Sequence, residues 1–594
     1  MAVRNELERE EPRLPRRTAL VIFFLALGVR LLALAELAGS PWSEVLLGDA
    51  RHFDDWGQRI AAGAWRGDQV FYQAPLYPYF LGGVYALFGH APGLVRVLQC
   101  FLGALAATWI AAGTARFASR RASAAAGVLA ALYPPAIWYE LQIEKTALAF
   151  ALTALLLYLA LARAWLAPAR GGLVPARGGL APAQSGRGGP CWALLAGILL
   201  GALTLLRENA AVLLLPLAWA FGRFAPGRTR ALAALSVGVV LVLAPVAWRN
   251  HSLGGAFLPT ASNVGVNFYI GNGAEADGQY RPLVAGRGHP DYEREDARRL
   301  AEELARRELS PAGVSRFWFG LALEEITDEP AHFARLLVLK AQLLLHRGEI
   351  MDAVALEVFE DESRVLRGLA WLSFGVLLPL ALAGAVLAWG RSGAGLALAS
   401  GALVALSIVL FFVVGRFRLG LVPFALPLAA IGLCEWRVAR TRQALAAGLL
   451  AAGALLAWWP LPIVGDPRAA SASNLASELL RQGDAVEAER WARRARELDP
   501  GSAEAAYNLA IALRRLERDE QAAEPFTVAM RLEPAYSADC LAELGAIRAL
   551  ADDEPGARSL LQQALALEPL HAAALRYLEA LDASGDGTGA NRSE

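Results

Sequence analysis

Acidic and guanidinium side chains at the ends of apolar runs mark where this chain could do chemistry. Asp49 follows the first apolar run, Thr18 to Ala38, within Leu47-Gly48-Asp49-Ala50-Arg51-His52-Phe53-Asp54-Asp55-Trp56. Glu140 and Glu144 flank the end of a later run, Arg207 stands in Leu206-Arg207-Glu208-Asn209, and Arg416 and Arg418 stand in Gly415-Arg416-Phe417-Arg418-Leu419. Carboxylates at the mouth of an apolar bundle are expensive to desolvate and are functional candidates by default. A carboxylate can take the proton of a hydroxyl, and a guanidinium can bind phosphate oxygens two at a time and offset charge that grows on a leaving phosphate. These types suit an enzyme that draws one substrate from lipid and the other from water. His52 has no second histidine at ligand spacing and reads as structural rather than metal-binding.

The elements that must position these groups are membrane helices. The chain has 594 residues, 56% of them hydrophobic, with a mean hydropathy of +0.38, too apolar for an ordinary soluble protein of this length. Net charge is +0, which carries no signal toward nucleic acid or an acidic partner. The four cysteines, Cys100, Cys191, Cys434 and Cys540, lack metal-ligand spacing and form no disulfide framework. Arg13, Arg16 and Arg17 precede the first run and place the N-terminus in the cytoplasm, and the first run, without a cleavage pattern, stays as a helix. Keeping the basic clusters inside gives spans near 18–38, 93–115, 122–138, 146–165, 191–206, 210–223, 231–248, 366–389, 393–414, 419–436 and 443–461. That is about eleven crossings, which puts the C-terminus outside and the acidic sites together at the outer face. The stretch Pro75 to Phe88 is short for a span, and counting it would put Arg116, Arg120 and Arg121 outside, so it reads as re-entrant or interfacial. Phe53, Trp56 and Ile60 recur at helical spacing opposite Asp54, Asp55 and Arg59, as in a helix lying in the headgroup layer, or equally in an exposed loop helix.

The chain therefore divides into a cytoplasmic tail (1–17), a membrane domain (18–465), a repeat domain (466–582) and a disordered tail (583–594). Within the membrane domain, 166–190 is a cytoplasmic low-complexity linker, and 39–92 and 249–365 are outer loops. The second loop opens with a Gly/Asn-rich run, including Asn263 and Asn267, that suits turns and amide hydrogen bonds and could cap a polar site or simply shape the loop. Around Phe333 to Leu345 it reads as another interfacial helix. Beyond Pro467, Leu498-Asp499-Pro500, Leu532-Glu533-Pro534 and Leu567-Glu568-Pro569 recur at spacings of 34 and 35 residues. This resembles the tetratricopeptide repeat, a helix-turn-helix unit, and three units just reach the number such a solenoid needs. Its groove would take a protein or peptide, or the domain would merely space or stabilise the rest.

The order Asp49, aromatic-bearing helix, Pro75-Leu76-Tyr77-Pro78, Tyr133-Pro134-Pro135, Glu144, Arg207 and Gly415-Arg416-Phe417-Arg418 resembles the membrane-embedded GT-C glycosyltransferases over about residues 18–440. The protein O-mannosyltransferase and aminoarabinose-transferase branch is the nearest in pattern. The resemblance implies an all-α polytopic bundle that transfers a sugar from a polyprenyl-phosphate donor to an acceptor hydroxyl, inverting the anomeric centre. It implies catalytic roles for Asp49, acting at the acceptor, and for Glu144, which matches the second acid better than Glu140. It implies substrate contacts by Arg207, at the lipid phosphate, with Arg416, Arg418, Glu140, Tyr77, Asn263 and Asn267 as further candidates. Two departures stand out. Where the aminoarabinose branch has a metal-associated acid–base pair, this chain has Tyr72-Gln73-Ala74, and the Asp-Glu pair of the mannosyltransferases is Asp49-Ala50 here.

Each residue also has a plainer use. Asp49 could be a solvated loop acid, Glu144 a helix anchor paired with Lys145 or Arg207, Arg416 and Arg418 headgroup anchors, and Arg207 a snorkelling arginine. The competing functions are an O-antigen-ligase-like transferase and a transporter or scaffold that recruits partners through its repeats; charges gathered at one face disfavour the transporter. The acids alone do not distinguish a bound divalent metal from a bare general base. Membrane lipid is the expected surround, and a bacterial inner membrane the expected location.

Overall fold

The computed structural model describes residues 14–164, 173–176, 179–182, 189–224, 227–254, 256–284, 287–288, 290–461 and 465–589. These residues are almost entirely helical, apart from a hairpin pairing Leu173–Ala176 with Gly179–Pro182 inside the expected linker. The chain forms two compact units. The first comprises Met1–Arg281, His289–Asp352 and Phe359–Leu461; the second comprises Pro282–Gly288, Ala353–Val358 and Pro462–Glu594.

Among the described residues, six helices of the first unit are long and apolar enough to cross a membrane: Arg16–Glu36, Pro92–Thr114, Arg228–Gly254, Arg364–Leu387, Ser392–Val409 and Gly415–Cys434. The shorter apolar helices Leu76–Phe88, Thr146–Ala162 and Gly189–Thr204 pack among them. Glycines set the closest approaches, as is usual where helices meet without a hydrophobic driving force. A Cβ on Gly384 would lie 1.8 Å from the Leu428 carbonyl oxygen, and one on Gly197 would lie 2.1 Å from that of Leu235.

The segment expected to cross as 122–138 breaks instead into Arg120–Leu132 and Pro134–Glu140. Pro134 and Pro135 have no N–H, so the carbonyls of Ala130 and Ala131 lose their partners four residues on. Arg30, fully buried in the first helix, replaces them. Its guanidinium donates to Ala131 O at 2.9 Å and Ala130 O at 3.5 Å, and it pairs with both carboxylate oxygens of Glu140. Gly103 leaves the room for that carboxylate, since a Cβ there would lie 2.1 Å from Oε1.

Between Arg16–Glu36 and Pro92–Thr114, Asp49–Ala61 packs on Leu76–Phe88 through Gly57 and Gly82. Phe53 and Ile60 are fully buried in this contact and Asp54 is buried beside them, so the helix does not present an apolar face to the headgroup layer as the spacing suggested. Asp54 is held by the Tyr85 hydroxyl at 2.5 Å and the Gln58 amide at 2.8 Å.

The second unit repeats a helix pair. Pro467–Gln482 with Ala485–Leu498, Ala503–Arg515 with Asp519–Leu532, and Ser537–Leu550 with Glu554–Leu567 are followed by Ala572–Gly589. Alanines at the pair contacts, among them Ala476, Ala492, Ala510 and Ala529, let the helices approach closely. Each turn within a pair needs a left-handed residue: Gly483 at φ +89°, then Glu517 at +59° and Asp552 at +58° at the matching positions. The unit also includes the distant stretch Ala353–Val358: Ala355 donates its N–H to Ser471 Oγ at 2.9 Å, and Asn474 Nδ2 donates to Ala353 O at 2.8 Å. Helix continues through Gly589 where a disordered tail was expected from 583; residues 590–594, and 1–13 of the N-terminal tail, lie outside the described residues.

Candidate functional site

Four segments of the first unit bring their charges to one place. Gly48, at φ +52°, turns the chain so that Asp49 heads its helix. Glu144 and Lys145 occupy the turn between Pro134–Glu140 and Thr146–Leu159. Arg207 follows the helix Gly189–Thr204 in extended conformation. Arg416 lies on the single helical turn Gly415–Arg418, whose first N–H is donated to Ile350 O at 2.8 Å, and that bond sets Asp352 beside Arg416.

Arg416 is the hub. Its Nη1 pairs with Asp49 and lies 2.9 Å from Asp352 Oδ2 and 3.6 Å from Glu144 Oε2. Arg207 lies 3.7 Å from Glu144 Oε1, donates to Thr146 Oγ1, and stands over the Phe417 ring at 5.0 Å. Lys145 lies 5.2 Å over the Phe53 ring. The Gln73 amide donates to Asp49 Oδ1 at 3.1 Å, while its Oε1 is buried with no partner among the described residues, as are Arg416 Nε and the Tyr139 hydroxyl. Such orphaned buried groups are rare without a reason.

Arg207 and Arg416 also wall a small cavity of about 30 Å³ otherwise lined largely by apolar side chains, among them Phe150, Leu203, Leu213 and Val404. Two guanidinium groups and apolar side chains therefore share one wall.

Electrostatics separate Asp49 and Asp352 at the hub. Burial alone would raise the Asp49 carboxyl, but Arg416 and Lys145, with the bonds from Gln73 and Arg416, outweigh it and hold it well below the usual carboxylate range. Asp352 goes the other way, pushed up to about 6, because burial and the nearby Asp49 and Glu144 outweigh Arg416 and Arg207. Further out, burial raises Glu293 against the Tyr72 and Tyr280 hydroxyls, which donate to it at 2.9 and 3.0 Å.

Of the sequence candidates, the structure brings together Asp49, Glu144, Arg207 and Arg416. It does not bring the others. Glu140 is buried against Arg30. Arg418 is 1% exposed and turns away, pairing with Glu349 at 2.7 Å and donating to the carbonyls of His346 and Gly348, so it pins the loop that carries Asp352. Tyr77 is fully buried, its hydroxyl donating to Gln99 at 2.7 Å and its ring against Phe53. Asn263 and Asn267 belong to the start of Val264–Asn272, which packs chiefly on Pro311–Asp328. Nearby, Asn250 donates to Leu258 O and Thr260 O, and Asn272 accepts from Lys340 at 2.7 Å. Sequence reasoning missed Asp352, whose only signal was an acid within a short polar segment of the outer loop. Among the described residues no group of three or more histidines, cysteines or acids has metal-holding geometry; Asp49, Glu144 and Asp352 face a guanidinium.

No family model and no curated protein matches the chain. Solved structures that do match include an archaeal oligosaccharyltransferase from Archaeoglobus fulgidus in complex with an inhibitory peptide and a dolichol-phosphate, at 13% identity and a TM-score of 0.38, covering 80% of this chain and 58% of that one. They also include YrrB, a TPR protein with an unusual peptide-binding site, at 15% identity and a TM-score of 0.19, covering 43% of this chain and 97% of that one.

Proposed function

We propose that the chain is a membrane glycosyltransferase that moves a sugar from a polyprenyl-phosphate donor to an acceptor hydroxyl at the outer face of a bacterial inner membrane. The observation that carries this reading is the cavity whose wall joins apolar side chains to Arg207 and Arg416, with three carboxylates gathered on the guanidinium of Arg416. An isoprenoid chain would lie against the apolar side chains of that wall, and its phosphate would meet two cations. The acceptor oxygen attacks the anomeric carbon, the bond from that carbon to the phosphate oxygen breaks, and the acceptor proton passes to Asp49. The lipid leaves as its monophosphate and the anomeric centre inverts. Arg207 and Arg416 offset the charge that develops on the departing phosphate, a type of contact that contributes about 2–4 kcal/mol where water is excluded. Glu144 holds both guanidiniums in register. The repeat unit offers helix pairs of the kind that take a protein or peptide partner. The test is sugar transfer from a synthetic polyprenyl-phosphate donor in membranes containing wild type or Asp49→Asn. Asp49→Asn keeps the shape and removes the proton acceptor, so transfer should fall by roughly 10²–10⁴-fold in a folded, inserted protein. Full activity in that variant would move the chemistry away from Asp49.

A further inference from the structure

Arg416 poses a conflict within the site just described. Its guanidinium is the cation nearest the carboxylates, and it also walls the cavity. One nitrogen, Nη1, serves Asp49, Asp352 and Glu144 at once, while Nε is buried without a partner among the described residues. An Asp49 carboxylate locked to that guanidinium is a poor base, because the pair stabilises the form without the proton. Asp49, Glu144 and Asp352 already surround it, and Glu208 acts on Lys145 and Arg207 as well. An arriving phosphate must therefore compete with acids already in place for the same cations.

Resting on the lipid-phosphate reading above, we propose that Arg416 is exchanged between the carboxylates and the donor phosphate, so that Asp49 is freed to take the acceptor proton only once the lipid phosphate is seated. Asp352 is the counterweight in this exchange. It sits 2.9 Å from Arg416 Nη1 and is placed there by the bond from Gly415 N–H to Ile350 O. When Arg416 turns its planar fork toward phosphate oxygens, Nε gains the partner it lacks, and Gln73 keeps its grip on Asp49 Oδ1 at 3.1 Å, so the freed carboxylate stays in position. The acceptor is then activated only in the presence of donor, and an empty site holds its base in reserve.

The experiment measures binding of farnesyl phosphate to the purified full-length protein by calorimetry, with farnesol as the uncharged control. Asp352→Asn and Asp352→Ser each remove one competitor for Arg416, and either suffices if the other fails to accumulate. Binding of farnesyl phosphate should tighten by about tenfold, the order expected from deleting one charge near the phosphate's cation. The same substitution in an Arg416→Ala background should give little or no gain, because the competitor no longer has anything to withhold. An Asp352 substitution that leaves the affinity unchanged, or that tightens it equally with and without Arg416, overturns the exchange while leaving the lipid-phosphate reading intact. Wild-type protein that binds farnesyl phosphate no better than farnesol overturns both.

Discussion

Glu140 separates a substrate-binding role from a structural one most cleanly. It reads from sequence as one of two acids at a helix end, yet it is 1% exposed and paired with an Arg30 that is fully buried. Glu140→Gln keeps a carbonyl oxygen for Arg30 but leaves the guanidinium charge unpaired in the bundle. Removing one partner of a buried pair costs about 3–5 kcal/mol, and the retained amide contact places this variant near the lower end. Arg30→Leu should cost more. It strands the Glu140 carboxylate and also uncovers the Ala130 and Ala131 carbonyls that Pro134 and Pro135 leave without partners, at about 1–3 kcal/mol each. The double variant Arg30→Leu with Glu140→Leu removes both charges but not those two carbonyls, so it should recover only part of the loss. Thermal unfolding of the detergent-purified proteins ranks the three, and donor kinetics at a permissive temperature should match wild type for Glu140→Gln. A Glu140→Gln protein that melts with wild type but has lost its use of the donor would refute this reasoning and return Glu140 to the substrate.

Three other outcomes follow from the geometry. Arg207→Ala should lower kcat/KM for the lipid donor by about 2–4 kcal/mol in transition-state terms, with Arg207→Lys recovering part, since an ammonium lacks the planar fork; unchanged donor kinetics in the folded alanine variant would make Arg207 an anchor only. Asp352 titrates at about 6 when folded against 3.8 for the free group, so its protonated form favours the folded state, and that stability is fully present below 3.8 and lost as pH rises through about 6. Asp352→Asn should therefore melt above wild type at pH 8, with the gap closing toward pH 4, and parallel melting at both would contradict it. Gly384→Ala would place a methyl 1.8 Å from the Leu428 carbonyl oxygen and should abolish accumulation of folded protein, whereas Gly28→Ala, with nothing within 4 Å, should be tolerated.

What was legible followed from chemistry that is expensive near a membrane. Asp49, Glu144, Arg207 and Arg416 stood out because charge beside an apolar run needs a reason, and the structure gathers them. Arg418 stood out equally, but two residues along a helical turn is about 200° of rotation, so it faces Glu349 instead. Glu140 and Glu144 looked like neighbours one turn apart. The helix stops at Glu140, and the turn that follows sends the two acids to different partners. The Pro134-Pro135 break was passed over in the span read as 122–138, and the arginine that repairs it lies about a hundred residues away and left no local mark. Asp352 reaches the hub through a long-range bond between Gly415 and Ile350, which no periodicity reports. In the repeat unit, period and small-residue contacts are both local, and there the helix pairs were readable directly.

The second unit is stitched from separate stretches of chain, and this limits how the protein can be dissected. A gene truncated before Pro467 deletes the helix that carries Ser471 and Asn474 but leaves Ala353–Val358 behind, with the Ala355 N–H and the Ala353 carbonyl stripped of their partners. The residue immediately ahead of that orphaned strip is Asp352. No single cut releases both units intact, so a loss of transfer after truncation would report on a frayed loop beside Asp352 as readily as on a missing partner. Dissection by point substitution within the repeat helices, away from Ser471 and Asn474, keeps the two causes apart.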